Sequence, residues 1–343
     1  MKKSIAAAAV LVCIVVAAAA AAAIFLNKGE GDDATIDLDN MPEGLREIEV
    51  KVNEGGKWEL NGLITTNAVG RNDTAAVIVH GSGPVDMDCS VYGQKPYRDL
   101  AWGLALFDID VLRYDKRTSV YGNSSFVDRA RATVMEETVD DAVAAAGLLR
   151  GLGYERIFLI GHSLGGMLGP IIVSESKGLF DGFISLAGSP RILPEISADQ
   201  CLALTTPQNS ASMEIYVKAE QAKLDRLSSM TESELQSTTI FGLRAYYIKD
   251  MIGRDAAGTA VSLDVPMLFL QGSADFQVYA DRDFVMWKEI LDGKEGVEFK
   301  LYNGLNHFFM VSKGPNAGTI EEYYLKGHVS LDVIGDIAEF INR

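Results

Sequence analysis

One turn limits the fold of this chain most, because it joins an apolar strand directly to a helix around a single serine. Residues 158–166 read Phe-Leu-Ile-Gly-His-Ser-Leu-Gly-Gly, so a Gly-x-Ser-x-Gly motif closes the strand and opens a helical pattern. The turn is so tight that Gly161 and Gly165 are needed to avoid steric conflict, and Ser163 is pushed out at the helix N-terminus. We therefore predict a strand–turn–helix unit of an α/β sheet, with Ser163 as a candidate nucleophile.

The segments around this turn alternate between short β-branched runs and longer helical patterns, which is typical of a parallel sheet flanked by helices. The predicted strands are 47–53, 58–65, 75–80, 108–113, 156–160, 182–186, 265–271 and 297–302. The predicted helices are 96–106, 132–149, 163–176, 281–291 and 330–341. The alternation breaks at residues 191–263, where we predict helices at 212–230 and 231–250. An excursion of this length is more naturally a helical lid or cap than a plain connection.

The first 26 residues differ in kind from the rest of the chain. Residues 5–26 follow Lys2 and Lys3 and are uncharged, rich in Ala and Val, and long enough to cross a bilayer as a helix. The lysines favour a cytoplasmic N-terminus and an extracytoplasmic remainder. A cleaved signal peptide is the alternative, since the alanines offer cleavage sites, but the length of the run favours an uncleaved anchor. Residues 27–44 are acidic and predict a linker, which leaves 45–343 as the folded domain.

Charge and cysteine content exclude several classes of site. The chain has 31 Lys and Arg residues and 47 Asp and Glu residues, which gives a net charge of −16. It therefore offers no basic field that could bind nucleic acid. Cys13, Cys89 and Cys201 are too few and too widely spaced for a disulfide framework or a cysteine zinc site. Only Cys89 and Cys201 could pair within the folded domain, and we predict two free or buried thiols rather than a disulfide. We expect no metal.

A serine hydroxyl needs a base within hydrogen-bond reach, most often a histidine. The chain offers four histidines: His80, His162, His307 and His328. The side chain of His162 should point away from the adjacent serine, His80 belongs to a Gly-rich turn, and His328 immediately precedes the last helix. His307 remains, on the loop after the last predicted strand, at the sheet edge where ligands bind in α/β folds. We predict that His307 is the base.

The carboxylate that orients this histidine should follow another strand. The strand, Gly-x-Ser-x-Gly turn and helix resemble those of α/β-hydrolases, and this resemblance implies an acid that lies between the serine and the histidine in the chain. Asp275 lies just beyond the predicted strand 265–271 and meets both conditions. Asp281 and Asp283 are nearby alternatives, but both fall inside the next helical pattern. We predict Asp275.

Stabilising a tetrahedral intermediate requires two backbone N–H groups aimed at one oxygen. One should belong to Leu164, which follows the serine. For the other we predict Ser82, in the loop His80-Gly81-Ser82-Gly83-Pro84 after an earlier strand. The alternative is that this loop is only a tight turn.

Six segments together resemble the α/β-hydrolase superfamily, specifically the prokaryotic branch of serine aminopeptidase-like and dienelactone hydrolase-like enzymes. They are His-Gly-Ser-Gly-Pro (80–84), Lys-Pro-Tyr-Arg-Asp-Leu-Ala (95–101), Arg-Tyr-Asp-Lys-Arg (113–117), Gly-His-Ser-Leu-Gly-Gly (161–166), Leu-Gln-Gly-Ser-Ala-Asp (270–275) and Asn-His (306–307). The resemblance covers roughly residues 45–343. It implies hydrolysis of carboxylic esters, less often of thioesters or short peptides, with no metal or organic cofactor.

Three functions remain open at this point. The first is an esterase acting on a small acyl ester through an acyl-enzyme. The second is an aminopeptidase, an acyl-peptide hydrolase or a thioesterase with the same triad. A peptidase would need carboxylates for the amino terminus, and Glu214, Glu220 and Asp225 are the candidates. The third is a binding protein that retains the fold, which the complete Ser, Asp and His set disfavours. The pattern does not predict an oligomeric state.

Overall fold

The computed structural model describes residues 37–67, 72–205 and 209–343, and in these ranges eight strands form one central sheet. The strands of the chain, in order, are β1 (Leu45–Val52), β2 (Leu60–Asn67), β3 (Thr74–Val79), β4 (Asp110–Tyr114), β5 (Arg156–His162), β6 (Gly182–Leu186), β7 (Thr239–Ile240), β8 (Leu243–Arg244), β9 (Met267–Gly272) and β10 (Val297–Tyr302). The spatial order in the sheet is β1-β2-β4-β3-β5-β6-β9-β10. β2 runs antiparallel to β1 and β4, and all other neighbours are parallel. The predicted mostly parallel sheet is confirmed.

Helices cover both faces of this sheet. They are α1 (Pro96–Ala105), α2 (Arg117–Tyr121), α3 (Asp140–Gly151), α4 (Leu164–Glu175), α5 (Leu193–Ala203), α6 (Ser210–Asp225), α7 (Glu232–Ser237), α8 (Ala245–Arg254), α9 (Ala256–Ser262), α10 (Val285–Ile290) and α11 (Leu331–Ile341). Pro96 begins α1, where proline suits the first turn because the N–H it lacks would have no partner in the helix.

Strand β3 shows why the sheet is buried on both faces. Ala75, Val77 and Val79 belong to the apolar cluster that includes α3 and α4. Ala76 and Ile78 belong to the opposite cluster, with α1 and α11. Successive side chains of a strand point to opposite faces, so a strand covered on both sides carries an unbroken apolar run. The apolar run that predicted this strand is therefore a consequence of its central position.

The segment between β6 and β9 holds α5 to α9 and the β7–β8 hairpin. Helices α5 to α8 and the hairpin contribute to a small apolar cluster of their own, whereas Ala260 of α9 belongs to the cluster that includes α3 and α4. The predicted continuous helix over 231–250 is wrong, because residues 239–244 form this hairpin between α7 and α8. Phe241 and Gly242 at its turn have φ values of 48° and 81°, which a helix cannot accommodate. Helical periodicity on either side of the hairpin concealed this break.

The N-terminal predictions are only partly covered by the described ranges. The predicted anchor, residues 5–26, lies outside them and stays a prediction. None of the helices described in the structure is long and apolar enough to span a membrane. Leu38, assigned to the linker from the sequence, is only 3% exposed, and its carbonyl oxygen accepts a hydrogen bond from Arg98. The packed part of the chain therefore includes residues before 45.

Candidate active site

Four loops meet at the carboxyl edge of the parallel strands. The loop 80–84 follows β3, Ser163 follows β5, Asp275 follows β9 and His307 follows β10. Ligands bind at this edge in open α/β sheets because the loops there diverge from neighbouring strands to form a crevice. The structure thus brings the residues predicted from four distant segments to one side of the sheet.

The turn around Ser163 has the strained geometry that the motif predicts. Ser163 has φ 54° and ψ −113°, and its N–H donates to the Leu186 carbonyl at 2.8 Å. A Cβ on Gly161 would lie 2.3 Å from the Gly165 carbonyl oxygen, and one on Gly165 would lie 2.4 Å from the Val79 carbonyl oxygen. No side chain fits at such distances. Gly161 is therefore required for β5 and α4 to approach this closely, and Gly165 for α4 to lie against the end of β3.

Asp275 holds His307 in one orientation. The Nδ1–H of His307 donates to Oδ2 of Asp275 at 2.7 Å, and both side chains are almost completely buried. The other carboxylate oxygen accepts the N–H groups of Gln277 and Val278 at 2.8 and 3.0 Å, and Gln271 Nε2 donates to Oδ2 at 2.9 Å. With the proton on Nδ1, the Nε2 of His307 is left to accept one.

Neither alternative carboxylate is hydrogen-bonded to a ring nitrogen of His307 in the described part of the chain. Asp283 is buried and accepts hydrogen bonds from the Arg191 guanidinium at 2.8 and 2.9 Å and from the Ser189 hydroxyl. Asp281 is exposed on the π-helical turn that precedes α10. Of the three aspartates considered from the sequence, the structure pairs Asp275 with His307.

Ser163 and His307 line the same cavity, which has a volume of about 310 Å³. In the described part of the chain, no hydrogen bond joins the side chains of Ser163 and His307. Hydrogen bonds between catalytic groups are often long without substrate and tighten only when substrate is bound. Most of the remaining wall is apolar, with Val85, Val91 and Phe276 among its residues. The volume is that of a small-molecule site.

The predicted oxyanion donors flank the serine. Leu164 is the first residue of α4, so its N–H has no partner within the helix. Ser82 lines the cavity beside Ser163. Its neighbour Gly81 is held from both sides, since its N–H donates to the Tyr97 hydroxyl at 3.0 Å and its carbonyl accepts from Lys116 Nζ at 2.9 Å.

Lys116 is a residue whose role sequence reasoning missed. Its side chain is only 2% exposed, and Nζ lies 3.1 Å from Oε1 of Glu137. Glu137 also accepts the hydroxyl of Tyr247 in α8. The charged cluster 113–117 was noticed in the sequence, but nothing there distinguishes the lysine that supports the Gly81 loop from its neighbours. The neighbouring Arg117 is in a bidentate pair with Asp141 and does not line the cavity.

His162 is a second residue whose role the sequence did not indicate. Its Nδ1 accepts a hydrogen bond from the Tyr97 hydroxyl at 3.0 Å, and its Nε2–H donates to the His307 carbonyl oxygen at 3.0 Å. Burial lowers the pKa of His162 to about 3, so the ring is neutral at physiological pH. His162 therefore ties the loop of the base to Tyr97, and through it to Gly81.

His80, Cys89 and Cys201 are all buried. The Nε2 of His80 contacts the Tyr114 carbonyl, and burial lowers its pKa to about 3. Cys89 lines the cavity and Cys201 lies in α5; both are buried, and no disulfide joins these two described residues. In the parts of the chain that the structure describes, no group of three His, Cys, Asp or Glu side chains is placed to hold a metal ion.

The carboxylates proposed for a free amino terminus lie elsewhere. Glu214, Glu220 and Asp225, the candidates for that role, are on α6 and do not line the cavity that contains Ser163. Glu220 is bonded to Lys223 at 2.5 Å and to the N–H of Phe241 at 2.7 Å, which gives it a structural role in the insertion.

Comparison with known proteins now identifies the family. The family model described as serine aminopeptidase, S33, matches residues 74–313, more than half of the chain. The chain belongs to this family of α/β-hydrolases. This α/β-hydrolase is 35% identical over 302 residues to the esterase EstD of Thermotoga maritima, covering 88% of this chain and 68% of that protein. It is a serine hydrolase of the carboxylesterase-like kind.

Solved structures agree on the fold of this α/β-hydrolase. Est1E from Butyrivibrio proteoclasticus matches with a TM-score of 0.53 at 14% identity, over 86% of this chain and 99% of that one. Dienelactone hydrolase from Anabaena variabilis matches with a TM-score of 0.50 at 14% identity, over 88% of this chain and 98% of that one. The family resemblance stated from the sequence is confirmed.

Proposed function

We propose that this α/β-hydrolase cleaves carboxylic esters through the triad Ser163, His307 and Asp275 and a covalent acyl-enzyme. The observation that carries the proposal is the 2.7 Å hydrogen bond from His307 to a buried Asp275, with His307 and Ser163 in one cavity wall. A neutral imidazole fixed in this tautomer is the base that a serine hydroxyl requires.

In the first half of the reaction, the Ser163 hydroxyl oxygen attacks the ester carbonyl carbon and gives its proton to Nε2 of His307. The backbone N–H groups of Leu164 and Ser82 stabilise the resulting oxyanion. When the tetrahedral intermediate collapses, the carbon–oxygen bond to the alcohol breaks and His307 returns the proton to the departing oxygen. The acyl group remains esterified to Ser163.

In the second half, His307 takes a proton from water as the water oxygen attacks the acyl carbon. Collapse of the second intermediate breaks the bond to Ser163, whose oxygen recovers the proton from His307, and the acid is released. Asp275 stabilises the imidazolium in both halves without itself becoming protonated.

The cavity favours an ester over a peptide with a free amino terminus. Of the described residues that line it, Glu321 is the only carboxylate, and it is exposed. Recognition of an ammonium group is strong when a desolvated carboxylate accepts its hydrogen bonds, and an exposed one contributes little. EstD, the relative with the long match, is an esterase by name.

We further propose that residues 191–263 act as a cap over the site. The support is that Gln200, Ala203 and Leu204, at the end of α5, form part of the cavity wall. Tyr247 of α8 also bonds Glu137, which connects this segment to the residues beneath the Gly81 loop.

The test uses a fluorophosphonate probe and nitrophenyl esters on the purified protein. We expect Ser163→Ala to lose labelling and to lower kcat by about 10⁴-fold or more. The matched control is Ser174→Ala, an exposed serine on the same helix, which should label and turn over normally. Comparable ester hydrolysis by Ser163→Ala and the parent would refute the assignment.

A further inference from the structure

Ser163 stands between two cavities of very different size. The larger, of about 310 Å³, is lined by Ser163, Ser82 and His307. The smaller, of about 30 Å³, is lined by Ser163, Ser82 and Leu164, and His307 is not among its residues. The two spaces share the candidate nucleophile and oxyanion loop but differ in their access to the base.

We infer that the smaller cavity holds the acyl group and the larger one the alcohol, so that this enzyme selects esters of short acids with bulky apolar alcohols. The inference rests on the proposed function and adds the substrate class to it. It follows from which group of the substrate His307 must reach.

The position of His307 assigns the larger cavity. The departing alcohol oxygen takes its proton from Nε2 of His307, so that oxygen has to lie within hydrogen-bond distance of the ring. The alcohol must therefore occupy the space that His307 lines. The acyl substituent leaves the same tetrahedral carbon in another direction, and the space on the Leu164 side, away from the histidine, is the smaller cavity.

The walls of the smaller cavity limit the acid to a few atoms. About 30 Å³ accommodates roughly two or three water-sized groups. Met167, Ile196 and Val278 in its wall are 4%, 4% and 2% exposed, and Leu193 is 8% exposed. Each is packed against other core residues, so a longer acyl chain would have to displace close-packed side chains.

The larger cavity suits an apolar group. Val85, Val91, Phe276 and Ile320 contribute to its wall, and the carboxylate of Glu321 is at an exposed position. An apolar alcohol gains from burial here, whereas a charged one would lose hydration without a buried partner.

The decisive substrates are two isomeric esters, phenylpropyl acetate and ethyl phenylpropanoate. They have the same composition and differ only in which side of the ester carries the bulk, and their alcohols are of similar acidity. We expect kcat/KM for phenylpropyl acetate to exceed that for ethyl phenylpropanoate by about tenfold or more. Release of acid, followed at constant pH, measures both.

Two variants in α5 test whether the smaller cavity causes this preference between the two esters. Leu193→Ala enlarges only the smaller cavity, so it should raise kcat/KM for ethyl phenylpropanoate relative to phenylpropyl acetate by about fivefold or more. Leu202→Ala makes the same change at a residue that is 42% exposed and lines neither cavity, so the ratio should match that of the parent.

A substitution at Ile320, a half-buried residue in the wall of the larger cavity, tests the alcohol side independently. Ile320→Trp should lower kcat/KM for phenylpropyl acetate while sparing ethyl acetate. If Leu193→Ala does not fold, this variant and the parent's two isomeric esters still decide the question.

The outcomes separate the two proposals. If neither isomer were hydrolysed and the fluorophosphonate probe did not label the protein, the proposed function itself would be overturned. Labelling and hydrolysis with equal or reversed rates for the two isomers would leave that function standing and overturn the division of the site.

Discussion

His162 donates a hydrogen bond from Nε2 to the carbonyl oxygen of His307 at 3.0 Å. The residue before the candidate nucleophile is thereby bonded to the backbone of the candidate base. Its other ring nitrogen accepts from Tyr97, whose hydroxyl accepts the N–H of Gly81. Three loops that must keep a fixed geometry during the reaction are joined through two buried side chains.

Tyr97→Phe should therefore impair the reaction more than substrate binding. The change leaves the Gly81 N–H and His162 Nδ1 without their shared partner, and we expect kcat to fall about tenfold with a small change in KM. Steady-state kinetics with one ester measures both constants. Tyr92→Phe, at a residue 46% exposed, is the control and should keep the parent kcat. A tenfold rise in KM with an unchanged kcat would contradict a positioning role.

Asp275→Asn tests the orientation of the base. The amide would offer a donor or a weaker acceptor to Nδ1 of His307 and favour the wrong tautomer, so we expect kcat to fall by about 10³- to 10⁴-fold. Circular dichroism should show an intact fold. The control is Asp281→Asn, at the exposed aspartate, which should retain parent activity. If the two variants were equally active, another carboxylate would have to orient His307.

The buried histidines predict a loss of stability in acid. Burial lowers the pKa of His162 to about 3, so the unfolded chain binds a proton there between about pH 6.5 and 3 that the folded chain does not. More bound protons in the unfolded state mean that the free energy of unfolding falls as pH falls through this window. His162→Gln should remove about 2 kcal/mol of the difference in the free energy of unfolding between pH 7 and pH 5.

Urea unfolding of parent and His162→Gln at both pH values gives this difference directly. It is insensitive to any constant destabilisation by the substitution, which cancels between the two pH values. The same pH difference in both proteins would show that His162 is not held neutral in the fold.

Lys116→Met should destabilise the protein strongly. It leaves the carboxylate of Glu137, whose side chain is 12% exposed, without its ammonium partner and the Gly81 carbonyl without its donor. Breaking a buried pair in this way costs about 3–5 kcal/mol. The control is Lys95→Met, which breaks a 2.9 Å pair with Asp88 at a lysine 38% exposed and should cost about 0–1 kcal/mol. Urea unfolding at one pH compares the two, and similar losses would contradict the role of burial.

Local sequence patterns predicted the elements whose identity depends on near neighbours. The apolar run before Ser163 and the Gly-x-Ser-x-Gly spacing predicted the turn, because Gly161 meets Gly165 within the motif itself, whereas the contact of Gly165 with the Val79 carbonyl appears only in the structure. The order serine, acid, histidine along the chain, together with strand ends, selected Asp275 and His307, and the structure places their side chains in contact. The helix predicted over 231–250 failed where a short hairpin interrupts a helical pattern.

The sequence by itself determined the class of fold and the residues that can supply a nucleophile, a base and an acid, since these depend on residue type, spacing and order. Only the tertiary structure decided how His162, Tyr97 and Lys116 hold the loops together, and that Ser163 lies between a large and a small cavity. These features arise from contacts between residues dozens of positions or more apart, whose partners are chosen by packing. No spacing along the chain encodes them.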